Sequence, residues 1–154
     1  REWGEARLRD KVGTLIKARL ELVEEKELVR RATTLFALPQ NNLTGLKLIW
    51  ETSDIIWKIA GDTSNDINWY TKRTTLSAVY GAVVLFWLGD NSSESEKTWE
   101  FVDRRLADVM GFEKFKSTLR ANPALKPFND LIRKSVSGIK SPIDHDSPKP
   151  GDFR

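Results

Sequence analysis

Cysteine is absent from the 154 residues, and histidine and methionine occur once each. No disulfide can form, and neither a Cys/His zinc site nor a thiol nucleophile is available. A chain without thiols is redox-indifferent, so this absence carries no information about compartment. The single histidine, His145, sits between Asp144 and Asp146 in a proline-rich stretch, where it is a solvated residue rather than the base of a Ser-His triad. A carboxylate-bridged diiron bundle needs Glu-x-x-His pairs on two helices, which one histidine cannot supply. Glycine-rich phosphate loops and the dinucleotide fingerprint are missing as well. What remains are two carboxylate pairs, Glu51 with Asp54 and Asp62 with Asp66, three and four residues apart. They are a thin basis for acid–base chemistry. The chain reads as a non-enzyme with no catalytic residue, metal site or cofactor.

Other absences bound the setting. No apolar run reaches the roughly twenty residues that span a bilayer, and no stretch has the pattern of a signal peptide. A net charge of +3 and a pI near 9.2 permit contact with anionic lipid or nucleic acid without arguing for either. The length suits one ordinary domain. Arg1 stands where a Met would, directly before a helical pattern, which points to a fragment or processed product.

What is present is helical periodicity, and no segment alternates as a strand does. Leu8, Val12, Leu15, Ile16, Leu22 and Val23 predict an amphipathic helix from Gly4 to about Glu25. Val29, Ala32, Leu35 and Phe36 predict a shorter one from Leu28 to Ala37, stopped by Pro39. After the turn at Gln40, Asn41 and Asn42, a third helix runs to about Ala60, where Gly61 can end it in a left-handed conformation. Its apolar residues cover more than half the circumference, so it should be substantially buried or line an apolar cavity. Glu51, Asp54 and Lys58 mark its wet side.

The central helix starts near Thr63, with Thr63 and Asp66 spaced as a capping box, and ends at the turn Gly89 to Ser92. From Leu76 to Leu88 it carries no charge, so it should be covered on all sides by a bundle or shared with a subunit interface. Ser93 with Glu96 is a second capping-box match, opening a helix with Trp99, Val102, Leu106, Val109 and Met110 on one face. Gly111 should break it, leaving a short helix through Phe112, Phe115 and Leu119. A last amphipathic segment covers 123–139, and 141–154 reads as a disordered tail.

Three features invite function. Asp66, Trp69, Tyr70 and Arg73 share a surface of the central helix at spacings of three and four. Either they cap and anchor that helix, or they form a binding surface of the residue types that dominate protein interfaces. Trp50, Trp57, Trp69, Phe86, Trp87 and Trp99 either wall a cavity for a hydrophobic ligand or serve ordinary core and dimer packing. The segment with Leu125, Phe128, Leu131, Ile132 and Val136 beside Lys126, Arg133 and Lys134 either lies on anionic membrane or closes the bundle.

The run GDTSNDINWYTKR at 61–73, continued through Trp99, Phe101, Arg105 and Met110, resembles the ubiquinone-biosynthesis accessory protein family over about residues 8 to 120. The resemblance points to an alphaproteobacterial member or close mitochondrial relative. It implies an all-α fold of the TetR type, here the C-terminal ligand and dimerisation bundle, with the helix-turn-helix part preceding Gly4 and absent. It also implies a homodimer without nucleic-acid contact in this fragment, in which residues 1–122 bind isoprenoid or quinone lipid. The bound quinone or isoprenoid intermediate would be presented to the diiron demethoxyubiquinone hydroxylase. By the same comparison Leu46, Ile49, Trp50, Ile56, Trp57, Val83, Phe86 and Trp87 approach the lipid. Asp62, Asp66, Asn68, Trp69, Tyr70 and Arg73 form the partner surface. Residues 123–140 become the membrane-associating helix, through Leu125, Lys126, Phe128, Leu131, Ile132, Arg133, Lys134 and Val136. The implied location is peripheral, at the cytoplasmic face of a bacterial inner membrane or the matrix side of its mitochondrial counterpart. The alternative is a TetR-type, lipid-responsive transcriptional regulator whose DNA-reading part lies outside this chain.

Overall fold

The computed structural model describes residues 2–121 continuously, with side chains at residue 4 and from 7 to 109. Beyond them it describes positions 123, 126, 127, 130, 134, 137–140 and 142. The described body is all helical: α1 Glu2–Glu21, α2 Lys26–Phe36, α3 Asn42–Ala60, α4 Ile67–Gly89 and α5 Glu96–Ala121, the last entered through a 3-10 turn at Ser93–Ser95.

α4 is the axis of the bundle. Its buried residues Leu76, Val79, Tyr80, Val83, Trp87 and Leu88 recur every three or four positions. They meet Val12, Ile16 and Leu20 of α1, Ile56 and Ala60 of α3, and Val102 and Leu106 of α5. Ile16 and Val83 are fully removed from water, each contributing roughly 1.5–3 kcal/mol of burial. Within one chain the bundle does not cover α4 on all sides: a flank at Ala78, Leu85 and Phe86 is open, which leaves the alternative of a helix shared with a subunit interface.

α2 buries no residue. It is strapped to the end of α4 by cations, which the negative end of a helix dipole favours. Lys26 Nζ donates to the Asp90 carbonyl at 2.9 Å and Arg30 to the Leu88 carbonyl at 2.7 Å. These bonds satisfy carbonyls that a helix C-terminus leaves without partners. Where α2 gives way to α3, Gly45 touches Phe36 so closely that a Cβ would stand 2.7 Å from the Phe36 Cβ.

Several expectations change. α3 buries only Gly45, Ser53, Ile56 and Ala60, leaving Leu43, Leu46, Leu48, Ile55 and Ile59 exposed, because only its inner side meets the neighbouring helices. α1 ends at Glu21, short of Glu25. Thr63 does not start α4: Asp66 is the N-cap, its side chain accepting from the Asn68 amide at 2.9 Å. The Ser93–Glu96 box does not form either. Glu94 and Ser95 take positive φ, and Asp90 organises the turn instead. Its carboxylate accepts from the Ser92 amide and hydroxyl and from the amide and hydroxyl of buried Thr98, at 2.6–2.9 Å. These bonds hold the Asp90 carboxyl well below the usual carboxylate range. Gly111 does not break α5, which runs on to Ala121; one glycine costs a helix only about 1 kcal/mol.

Candidate functional site

The junction of α3 and α4 concentrates the charged and aromatic side chains. Gly61, at φ 92°, ends α3. The Gly61 amide donates to the Lys58 carbonyl and the Asp62 amide to the Trp57 carbonyl, the paired bonds of a Schellman motif. This places Asp62 against the first turns of α4. Its Oδ1 accepts from Lys72 Nζ and Ser64 Oγ, both at 2.7 Å, and its Oδ2 from Arg73 at 2.9 Å. Burial alone would raise the Asp62 pKa, but hydrogen bonds from Lys72, Ser64 and Arg73 outweigh it and hold the group below the usual carboxylate range.

Arg73 is only 2% exposed. Its Nε donates to Asp54 Oδ1 at 2.7 Å, its NH1 also donates to the Trp69 carbonyl at 3.2 Å, and its guanidinium stacks 4.1 Å from the Trp69 ring centroid. Asp54 is shared with Lys58 Nζ at 2.7 Å. Desolvation would raise the Asp54 pKa; Lys58 and Arg73 together lower it. A buried guanidinium with two carboxylates thus ties α3 to α4 and fixes the plane of Trp69 from below.

Above this network lies an aromatic surface. Trp69 and Tyr70 are half-buried, edge to face at 4.8 Å, and Trp50 of α3 stands 6.0 Å from Trp69. Asp66 and Asn68 are exposed beside them, and the Asn68 side-chain amide donates to Asp66 Oδ2. The Tyr70 hydroxyl donates to the Lys140 carbonyl at 3.2 Å. The six residues of the expected partner surface therefore divide. Asp66, Asn68, Trp69 and Tyr70 are accessible, whereas the Asp62 and Arg73 side chains are buried and act through what they hold in place. Asp54, Ser64 and Lys72 belong to the network although the sequence reading did not single them out for it, and Asp54 is turned inward rather than on a wet side. A signal existed: Asp54 precedes Gly61 by seven residues and Arg73 follows Asp66 by seven, so an antiparallel hairpin brings them level.

The eight residues expected near lipid do not form one wall. Ile56, Val83 and Trp87 are core; Ile49, Trp50 and Trp57 are half-buried; Leu46 and Phe86 are exposed. The Trp57 indole donates to the Lys72 carbonyl at 3.0 Å, and Phe86 stacks flat on Phe101 at 4.4 Å. A concavity of about 450 Å³ lies elsewhere, between α1 and the start of α5, lined by Lys17, Glu21, Ser93, Glu94, Glu96, Trp99, Glu100 and Asp103. Its carboxylates suit water better than an isoprenoid. Of the expected membrane residues, Lys126 and Lys134 are described, exposed and helical in backbone. Leu125, Phe128, Leu131, Ile132, Arg133 and Val136 lie outside the described residues, as do 143–154. No described helix is long and apolar enough to cross a membrane.

Comparison with known proteins agrees with the motif that dominates this junction. The COQ9 family model matches residues 43–113, which hold nearly all of α3, all of α4 and much of α5. The mitochondrial ubiquinone biosynthesis protein COQ9 of Rattus norvegicus is 38% identical over 103 residues, covering 67% of this chain and 32% of the relative. Its Homo sapiens counterpart is 37% identical over 103 residues, with 67% and 31% covered. That of Schizosaccharomyces pombe is 36% identical over 99 residues, with 62% and 39% covered. The chain spans about a third of the length of these curated relatives. Both the Asp54–Arg73–Asp62 network and the aromatic surface it supports fall inside the matched segment, and the chain carries the COQ9 family domain.

Proposed function

We propose that this chain serves ubiquinone biosynthesis as a non-catalytic accessory protein. In this reading it binds quinone or isoprenoid intermediates and presents them to the diiron demethoxyubiquinone hydroxylase at a membrane surface. The relatives' role in ubiquinone biosynthesis supports the pathway. The observation that carries the partner contact is the half-exposed Trp69–Tyr70 pair, immobilised on buried Arg73. Rigid aromatic anchors backed by a guanidinium are what protein interfaces use for most of their energy.

A second copy of the chain fits the open flank of α4. There Leu85 and Phe86 are exposed, Phe86 stacked on half-buried Phe101, with Arg105 over Phe101 at 5.3 Å. That flank is the proposed homodimer face. The lipid would enter between α3 and α4 by displacing half-buried Ile49, Trp50 and Trp57, and residues 123–140 would hold the chain peripherally at the membrane.

The test is capture of the hydroxylase by wild type and by Trp69→Asp. Loss of capture at unchanged thermal stability supports the reading; collapse of the fold would show Trp69 to be core. Mass spectrometry of organic extracts addresses the lipid, with repeatedly empty protein counting against presentation.

A further inference from the structure

The α2–α3 hairpin ends in a cluster of exposed leucines. Leu35, Leu38, Leu43, Leu46 and Leu48 are 51, 43, 77, 62 and 46% exposed within two turns of the bend. From Leu28 to Trp50 there is no aspartate or glutamate, although the whole chain holds 22. The charges in that run are all positive: Arg30, Arg31 and Lys47. Glu27 and Glu51 bracket it from outside and pair with these cations only at the surface, at 3.2–3.8 Å. Such exposed pairs are worth little and leave the field of the hairpin end positive.

The arrangement of the leucines says what covers them. Leu46 and Leu48 are two positions apart on α3, about 200° around a helix of 3.6 residues per turn. Both are exposed, so the apolar surface wraps the hairpin end rather than forming one face. A protein docked on one side would cover Leu43 and Leu46 or Leu48, not both. A fluid apolar medium surrounds all of them at once. Cations flanking leucines, with carboxylates excluded, match the boundary between anionic headgroups and acyl chains.

We infer that the end of the α2–α3 hairpin inserts shallowly into an anionic lipid surface. Leu35, Leu38, Leu43, Leu46 and Leu48 enter the acyl boundary, and Arg31 and Lys47 lie at the phosphates. This contact goes beyond the association proposed for residues 123–140 and does not depend on it. It also stands next to Trp50, which touches Trp69, so the inserted end and the aromatic surface lie along one helix.

The absence of cysteine makes the test direct, because one introduced thiol labels one site. The full chain carrying Leu43→Cys, labelled with a polarity-sensitive fluorophore, is mixed with vesicles of phosphatidylcholine alone or with phosphatidylglycerol. The inference expects a blue shift with the anionic vesicles and quenching by lipids spin-labelled near the headgroup. A label at Asp103→Cys, in the acidic concavity, should stay in water. Arg31→Gln should weaken partition about fivefold, the share of one cation at an anionic surface. Cosedimentation of the chain with a Leu43 label still in water overturns the hairpin contact while leaving membrane association through residues 123–140 intact. No cosedimentation with anionic vesicles overturns both. A change of oligomeric state on Leu43→Asp, seen by sedimentation velocity without lipid, would make the leucines a contact between copies and would likewise overturn the inference.

Discussion

The two ends of α4 are organised by the same device and put to different use. At each end an aspartate just outside a helix gathers donors from both sides of a turn: Asp62 from Ser64, Lys72 and Arg73, and Asp90 from Ser92 and Thr98. At the C-terminal end the donors are neutral hydroxyls and amides, the cations of α2 take the free carbonyls, and the result is a closed joint. At the N-terminal end two of the three donor residues, Lys72 and Arg73, are charged, and Arg73 also backs an accessible tryptophan. A neutral turn needs nothing outside itself. A buried guanidinium held by two carboxylates is a costly way merely to join helices, since apolar packing would serve as well. In the proposed reading, the N-terminal end uses that network to present the aromatic pair to a partner.

The comparison is broken most severely at Arg73. Arg73→Ala leaves Asp62 and Asp54 without their shared partner and should cost about 3–5 kcal/mol in urea unfolding. Partner capture should be lost with it, because Trp69 loses its support.

Acid should act on both ends together. Asp54, Asp62 and Asp90 all have folded pKa values below their ordinary 3.8. Their contribution is fully present above that ordinary value and is lost as the pH falls through the lower folded values. Thermal unfolding between pH 7 and 5 should show no loss from these groups, and a decline should set in below about pH 4.

Thr98→Val removes one buried hydroxyl bond to the Asp90 carboxylate and should cost about 1.5–3 kcal/mol, with capture of the hydroxylase unchanged. Tyr70→Phe deletes an exposed hydroxyl and should stay within about 0.5 kcal/mol of wild type. Together they separate the joint from the presenting surface.

Much of this architecture was legible in the sequence because it is written in periods and caps. The charge-free run from Leu76 to Leu88 marked the axis, and Gly61 marked its own left-handed turn. The aromatic surface was legible from the crowding of Asp66, Trp69, Tyr70 and Arg73. What stayed hidden depends on tertiary pairing. Two capping boxes matched their pattern and neither formed: Asp66 caps α4 through the Asn68 amide, and Asp90 holds the amides of Ser92 and Thr98. Composition suggested that α3 is buried, but an apolar helix lies open when the bundle supplies neighbours on one side only. Arg73 looked like a surface cation, and only the antiparallel level of Asp54 shows it to be internal.

The most direct test compares Trp69→Asp with wild type in two assays on the same preparation: thermal unfolding and capture of the demethoxyubiquinone hydroxylase. A near-wild-type midpoint with capture abolished is the predicted result, since Trp69 is half-exposed and rests on a network that survives its removal. Capture at the wild-type level by a folded Trp69→Asp chain would contradict the claim that this end of α4 presents a partner surface.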